Sequence, residues 1–318
     1  MITLYELHWS HYCEKIRLAL NYQKLPWRAV GIDAFTKREL QVHPLPSHLP
    51  VYTVPAIHDA ASGEFVLDST PILRYLDKTY PDAPRLFPGD EHNRIAVDRR
   101  LIEFDTQLAL PARRFGYTQV ILECPDLLTD LFLPKRVRGF YCLPGVRSVA
   151  GNLLGVMLSK RFEFHRSEEI GLYEALERYL IALAQELAQK EFVVGSNFSA
   201  ADIALAAQLR PLLVVPFFAE HPQLATLFER HRQVVSSLGQ GEPLRYQTAM
   251  VEARLRKPPY RRRLRSLHAP MPFRTNENFA ENDQQAIWTW GMLAMPFHYL
   301  ISLRQGKVRQ LEASATVR

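Results

Sequence analysis

The sequence predicts two domains of different class: a small α+β domain over residues 1–80 and an all-helical domain over 92–235, joined by a linker at 81–91. Three observations carry this. Up to residue 80, strand and helix periodicities alternate in the order strand, helix, strand, hairpin, helix. Prolines at 81, 84 and 88, with Gly89, then interrupt any regular element. Beyond them apolar residues recur at helical spacing only. Residues 236–318 form an extension of different composition.

Taken in order, residues 2–7 are a strand, with Ile2 and Leu4 on one face. Residues 14–23 form an amphipathic helix. Ile16, Ala19 and Leu20 recur at helical intervals, and Lys15, Arg17 and Asn21 take the other side. Residues 27–32 are a second strand, and 43–50, with three prolines, a loop. Residues 54–58 and 64–67 flank the turn-rich stretch 59–63 as a β-hairpin. Pro55 cannot donate to a ladder, so the strand must begin there. A cis bond between Val54 and Pro55 would turn the neighbouring backbone groups outward, toward a ligand. Asp68, Ser69, Thr70 and Pro71 open the helix that runs over 71–79, with a small polar cap and a proline in its first turn. Such an N-terminus gathers unpaired amides and can hold a carboxylate. This succession of elements is that of the thioredoxin fold.

In the second domain, 98–110 and 168–189 read as uninterrupted helices. Ser199 and Asp202 have the spacing of a capping box, with aspartate in place of the usual glutamate or glutamine. Ile203, Ala204, Ala206 and Ala207 then make a small-residue apolar stripe, so these residues serve folding. No internal repeat is visible.

Composition narrows the function classes. At 318 residues and 47% apolar the chain can bury a substantial core. Three scattered cysteines, Cys13, Cys124 and Cys142, make no disulfide framework and point to a reducing, cytoplasmic setting. Residues 1–6 show no basic segment followed by an apolar run, so no signal peptide is expected. The net charge of +6 is local: residues 251–270 hold seven Lys and Arg, between Arg254 and Arg265, against Glu252 alone. That segment could grip phosphates, but a solvated strap along the protein's own acidic face accounts for it equally, and no nucleic-acid partner is expected. The apolar run 286–303 contains Thr289, Pro296, His298 and Ser302 and is near the short limit for a membrane span. The expectation is a helix over 284–303, bent near Pro296 and folded back on the helical domain, with membrane contact the less favoured alternative. No metal-ligand spacing, phosphate loop or nucleophile elbow is present.

The Val54–Pro55 step, the Asp68–Ser69 pair and the glycine, aromatic and Ser-x-x-Asp arrangement at Gly195, Phe198, Ser199 and Asp202 together resemble the soluble glutathione transferases over residues 1 to about 235. Arg17-Leu18-Ala19-Leu20 fixes the register of the first helix by the same resemblance. What the resemblance implies is a glutathione site. The backbone at Val54 and Pro55 would hold the cysteinyl part, and Asp68 with Ser69 the γ-glutamyl end. Ser10 falls where the serine-type classes place their catalytic hydroxyl, although a serine before a helix is also a common N-cap. A hydroxyl beside a helix N-terminus would favour the glutathione thiolate, and the anion would then attack a small hydrophobic electrophile in a detoxifying reaction. Glutathione is thus expected as co-substrate, without a metal. Homodimer formation is implied too, though the extension could block it.

Two other classes stand beside this one. A glutathione-dependent thiol oxidoreductase would work through Cys13, on the second cysteine position of the glutaredoxin motif, but the leading cysteine is replaced by Ser10. A non-catalytic binding protein on the same fold would dock through its extension. Thr53, where the family often carries lysine, leaves room for that. Tyr5 lies near the tyrosine-type position but about one residue out of register, so core packing is its expected role; for His11 an exposed loop position is expected. Phe115, Gly116 and Tyr117 are candidate acceptor lining.

Overall fold

Four strands form one mixed sheet in the order β2-β1-β3-β4: β1 Ile2–Glu6, β2 Trp27–Gly31, β3 Ala56–Asp59 and β4 Phe65–Leu67. The computed structural model describes residues 1–47, 49–123, 125, 127–133, 144–161 and 166–238. β1 and β2 are parallel, so their connection must cross over, and α1 (His11–Tyr22) does so. β3 is antiparallel to both β1 and β4, and α2 (Ser69–Thr79) follows β4. Ile2, Leu4 and Ile57 point to the face carrying α1 and α2, where Ile16, Leu20, Ile72 and Leu76 join the main core. Alternation puts Tyr5, Ala56 and Leu67 on the other face, under Leu40 and Tyr52. The thioredoxin-like domain has the element order expected of it.

Two features of α1 differ from expectation. It begins at His11, three residues early, because Ser10 caps it: Ser10 Oγ accepts from the Cys13 amide at 3.4 Å. The side opposite its apolar residues does not face solvent. Lys15 and Arg17 are buried and Asn21 is half-buried. The second domain covers that face, and its charges supply the compensation that a lone amphipathic pattern cannot show.

The helical part contains α3 (Glu91–Glu103), a π-helical turn at Phe104–Ala109, α4 (Leu110–Glu123), α5 (Leu127–Phe132), α6 (Pro144–Arg161) and α7 (Arg166–Leu187). It continues with α8 (Ala200–Leu209), a 3₁₀ turn at Arg210–Val214 and α9 (Ala225–Ser237). The helix expected over 98–110 is therefore broken by the π turn. All ten residues of α8 are buried, as befits a helix that is apolar all round. Its capping box is formed: Asp202 accepts from the Val193 amide at 2.8 Å and the Ser199 amide at 3.0 Å. Asp77 holds the linker, accepting from the Leu86 amide at 2.7 Å and pairing with Arg85 at 2.9 Å. Among the described residues no helix is long and apolar enough to cross a membrane. The basic segment 254–265 and the apolar helix expected over 284–303 lie outside the described residues.

Candidate functional site

The site forms at one end of the sheet. Pairing of Tyr5 with Ala56 sets the chain leaving β1 beside the chain entering β3, so the Leu7–Ser10 loop and the Val54–Pro55 step meet there. The Val54–Pro55 peptide is cis, and the Pro55 carbonyl accepts from the Asp68 amide at 3.0 Å. That bond ties the proline loop to the start of α2. Asp68 adopts φ +74° and ψ 146°, a positive-φ conformation outside the αL well that glycine favours and that strains any residue with a Cβ. Its exposed carboxylate accepts from the Ser69 amide at 2.6 Å, while Ser69 itself is buried. An acid at the mouth of a helix N-terminus can meet an ammonium group while nearby amides meet a carboxylate, the two ends of an amino acid. Val54, Pro55, Asp68 and Ser69 are thus brought together.

Ser10 is half-exposed at the N-terminus of α1. Its oxygen accepts from the Cys13 amide, and its hydroxyl also reaches the Cys13 thiol. Cys13 is fully buried. Burial, with the Glu6 charge adding to it, pushes its thiol up to about 12, against smaller opposing effects of Arg17 and Ser10. A thiol held protonated at neutral pH is neither nucleophile nor resolving group. This counts against the oxidoreductase alternative. Native protein treated with iodoacetamide at pH 8 should leave the Cys13 peptide unalkylated by mass spectrometry until denaturant is added. Prompt stoichiometric labelling of that peptide would show the thiol to be active.

Other residues singled out in the sequence stand as follows. The Tyr5 hydroxyl bonds His43 Nε2 at 2.8 Å on the sheet face away from α1, so it does not reach the Ser10 side. His11 is not exposed. Burial, then the charges of Arg113, Arg210 and Lys15, hold it well below the usual histidine range, as a neutral imidazole. Phe115 packs into the core against Tyr173 and Phe218 at ring separations of 4.3 and 5.9 Å, so it lines nothing. Tyr117 does approach the site, accepting from Trp9 Nε1 at 3.2 Å. Buried Phe132, 5.0 Å from Trp9 and 6.0 Å from Tyr117, backs these two half-buried rings, so an aromatic cluster adjoins the residue before Ser10. A Cβ at Gly116 would stand 2.9 Å from the Pro211 carbonyl oxygen, so glycine there permits close packing of α4 on the 3₁₀ turn.

Sequence reasoning missed the cluster behind α2. Lys15 Nζ lies 3.2 Å from Asp105 Oδ1 and 3.4 Å from Thr70 Oγ1, and Thr70 donates to Asp105 Oδ2 at 3.2 Å. Gln208 of α8 donates to the same carboxylate. Burial lowers the Lys15 ammonium from its ordinary value, and Asp105 offsets part of that. Lys15 sits on the polar side of an amphipathic helix, so the local sequence carries no signal for it. Near Thr53, the Lys37 ammonium donates to the Tyr52 carbonyl at 2.5 Å, bringing a cation to that loop from elsewhere in the sequence. Among the described residues no group of three metal-ligating side chains comes together.

Comparison with known proteins locates the same regions. Residues 4–84 match the family model of the glutathione S-transferase N-terminal domain, and 163–231 that of its C-terminal domain. The chain is 31% identical over 90 residues to Glutathione S-transferase U10 of Arabidopsis thaliana, covering 28% of this chain and 36% of that protein. It is 37% identical over 92 residues to the Glutathione S-transferase-like protein ustS of Aspergillus flavus, covering 26% and 33%. The chain thus spans about a third of the length of these curated relatives. The crystal structure of glutathione transferase GSTFuA3 from Phanerochaete chrysosporium superposes with a TM-score of 0.54 at 20% identity, over 76% of this chain and 98% of that one, and so shares its fold.

Proposed function

The chain is a member of the glutathione transferase superfamily, and from that membership we propose that it binds glutathione and activates its thiol for attack on a hydrophobic electrophile. The observation that carries this is the Pro55 carbonyl to Asp68 amide bond, which joins the cis-proline loop to the α2 N-terminus at the sheet end where Ser10 caps α1. In this reading the Val54 backbone holds the cysteinyl unit, Asp68 takes the γ-glutamyl ammonium and the Ser69 end of α2 its carboxylate.

A free thiol with a pKa near ~8.5 is only a few per cent ionised at pH 7. The Ser10 hydrogen rotates to suit its partners, and donated outward it stabilises the anion, as does the N-terminus of α1. A drop of about two pKa units multiplies the thiolate fraction more than tenfold, partly offset by the lower nucleophilicity of the weaker base. The half-buried rings of Trp9 and Tyr117, backed by Phe132, would give the electrophile an apolar surface next to that sulfur. Work as a homodimer in the cytoplasm belongs to the same proposal.

Calorimetry tests the binding step. Glutathione should bind with a Kd between micromolar and millimolar, roughly −4 to −8 kcal/mol. Asp68→Ala should weaken it by about 1–3 kcal/mol through loss of a charge-assisted contact. Absence of binding at several millimolar would leave the fold without this function.

A further inference from the structure

A buried charge network lies directly beneath the loop that ends in Ser10, and the proposed chemistry does not use it. Glu6, at the end of β1, and Glu14, on α1, are both buried. Glu6 pairs with Arg17 and accepts from His8 Nδ1 at 2.7 Å. Burial alone would raise its carboxyl, but the His8 bond and the Arg17 charge outweigh that and hold it below the ordinary range. Glu14 Oε2 stands 3.2 Å from Arg210 Nε, and neither Glu14 oxygen accepts a well-aligned hydrogen bond. Arg210 is therefore the charge that compensates a carboxylate with almost no other support. The two arginines share one further target. The His8 carbonyl accepts from Arg17 Nη2 at 3.1 Å and from Arg210 Nη1 at 3.3 Å.

That carbonyl is the only part of the loop held from both domains by charged donors among the described residues. Arg17 comes from α1, while Arg210 opens the 3₁₀ turn after α8, two hundred positions along the chain. His8, Trp9 and Ser10 are consecutive. The clamped carbonyl comes first, then the ring that meets Tyr117 and Phe132, and then the hydroxyl that caps α1. Within the loop the Ser10 amide donates to the Leu7 carbonyl at 2.9 Å, a tight turn that couples His8 to Ser10, while the Ser10 carbonyl accepts from the Glu14 amide at 3.0 Å and joins the loop to α1.

From this geometry we infer that Arg210 is a positioning residue: by gripping the His8 carbonyl from the helical domain, it fixes where the Ser10 hydroxyl stands. The inference rests on the proposed activation of glutathione by Ser10. A guanidinium suits the task because one planar fork can face Glu14 through Nε and the carbonyl through Nη1 at once. A lysine offers a single point charge and can satisfy Glu14 or His8, not both in the same geometry. The helical domain in this way sets the thiol site of the other domain, and the two would act as one catalytic body.

The test compares full-length wild type with Arg210→Lys and with the double variant Glu14→Gln/Arg210→Gln, which removes both charges and leaves no carboxylate stranded. Glutathione is titrated with pH on each protein by ultraviolet absorbance of the bound thiolate. Turnover with a generic aromatic electrophile, glutathione Kd, melting temperature and hydrogen exchange at residues 7–14 without ligand are measured alongside. Both variants should show an apparent pKa of the bound thiol raised by about one unit and kcat lowered about tenfold, with glutathione Kd within about twofold of wild type. Arg210→Lys should restore most of the melting temperature without restoring the pKa, and exchange at 7–14 should quicken in both. An unchanged thiol pKa, with kcat falling only as the folded fraction falls, overturns the inference and leaves Arg210 a stability residue. Ser10→Ala in the same titration separates the two claims. If it too leaves the thiol pKa unchanged, the activation reading fails. If it raises the pKa and the Arg210 variants do not, only the positioning inference fails.

Discussion

Replacing Ser10 with alanine should lower turnover with a generic electrophile by about 10- to 1000-fold while leaving glutathione affinity nearly unchanged. That range equals roughly 1.4–4 kcal/mol of transition-state stabilisation. The hydroxyl favours the thiolate over the thiol and makes no comparable difference to the peptide backbone of the ligand, so the loss falls on kcat and not on binding. Ser10 also caps α1 through the Cys13 amide, so the variant should lose about 1 kcal/mol of stability as well. Assays well below the melting temperature keep the two effects apart. Ser10→Cys should shift activity toward disulfide exchange, because a thiol at a helix N-terminus ionises readily. A fully active Ser10→Ala protein would transfer the role to the backbone amides of α1.

Asp105→Asn should be the most destabilising single change at the junction, by about 3–5 kcal/mol at neutral pH, since it leaves the fully buried Lys15 ammonium without its counter-charge. Asparagine keeps the size of the side chain and an acceptor for Thr70, so the loss reports the charge. The pH dependence follows from the direction of the Lys15 shift. Burial, only partly offset by Asp105, sets its folded pKa below that of an unfolded lysine. Between those two values the unfolded chain binds more protons, and stability rises with pH. Loss of Asp105 removes the offset and widens that window. Urea denaturation should therefore find the deficit of the variant narrowing as pH climbs toward ~10. The double variant Asp105→Asn/Lys15→Met should recover most of the stability at pH 7. A deficit that is flat with pH would mean that the ion pair contributes little and that the lost hydrogen bonds dominate.

How much of this was written in the sequence differs from element to element. The proline before β3, the Asp68–Ser69 start of α2 and the Ser199–Asp202 box are local signals: each residue type solves a backbone problem within four positions of itself, and each is found doing so. The polar side of α1 was misjudged because its partners are remote. Lys15 meets Asp105 and Gln208's neighbour network ninety and more residues away, and Glu14 meets Arg210. A charged residue at a helix position facing away from the sheet looks the same whether water or a second domain lies beyond it. His11 and Phe115 follow the same rule: the packing of α8 on α1, and of Tyr173 and Phe218 on Phe115, decides their burial and not the local pattern. The proposed roles of Ser10, Val54, Pro55, Asp68 and Ser69 came through resemblance, which geometry alone would not have supplied.

The π turn at Phe104–Ala109 has a consequence for what lengths this chain can tolerate. It acts as one residue too many in an otherwise continuous rod from Glu91 to Glu123. Upstream of it the rod is phased by Val97 and Leu101 in the core; downstream it is phased by Ala112 and Phe115, with Tyr117 turned to Trp9. Asp105 stands inside the turn itself. Because the bulge already absorbs that residue, deleting one there would restore ordinary α spacing with the two halves near their present phase. Deleting one from the α-helical part on either side would instead rotate one half against the other by about 100°. Either the α3 packing or the Tyr117–Trp9 contact would be lost, and Asp105 would swing off Lys15. Exposed Thr106 and Gln107 should accept substitution freely and even the loss of one of the two, while the counts of residues from Glu91 to Leu101 and from Ala112 to Tyr117 should not change. Length is thus specified strictly in the two flanking helices and loosely in the turn between them.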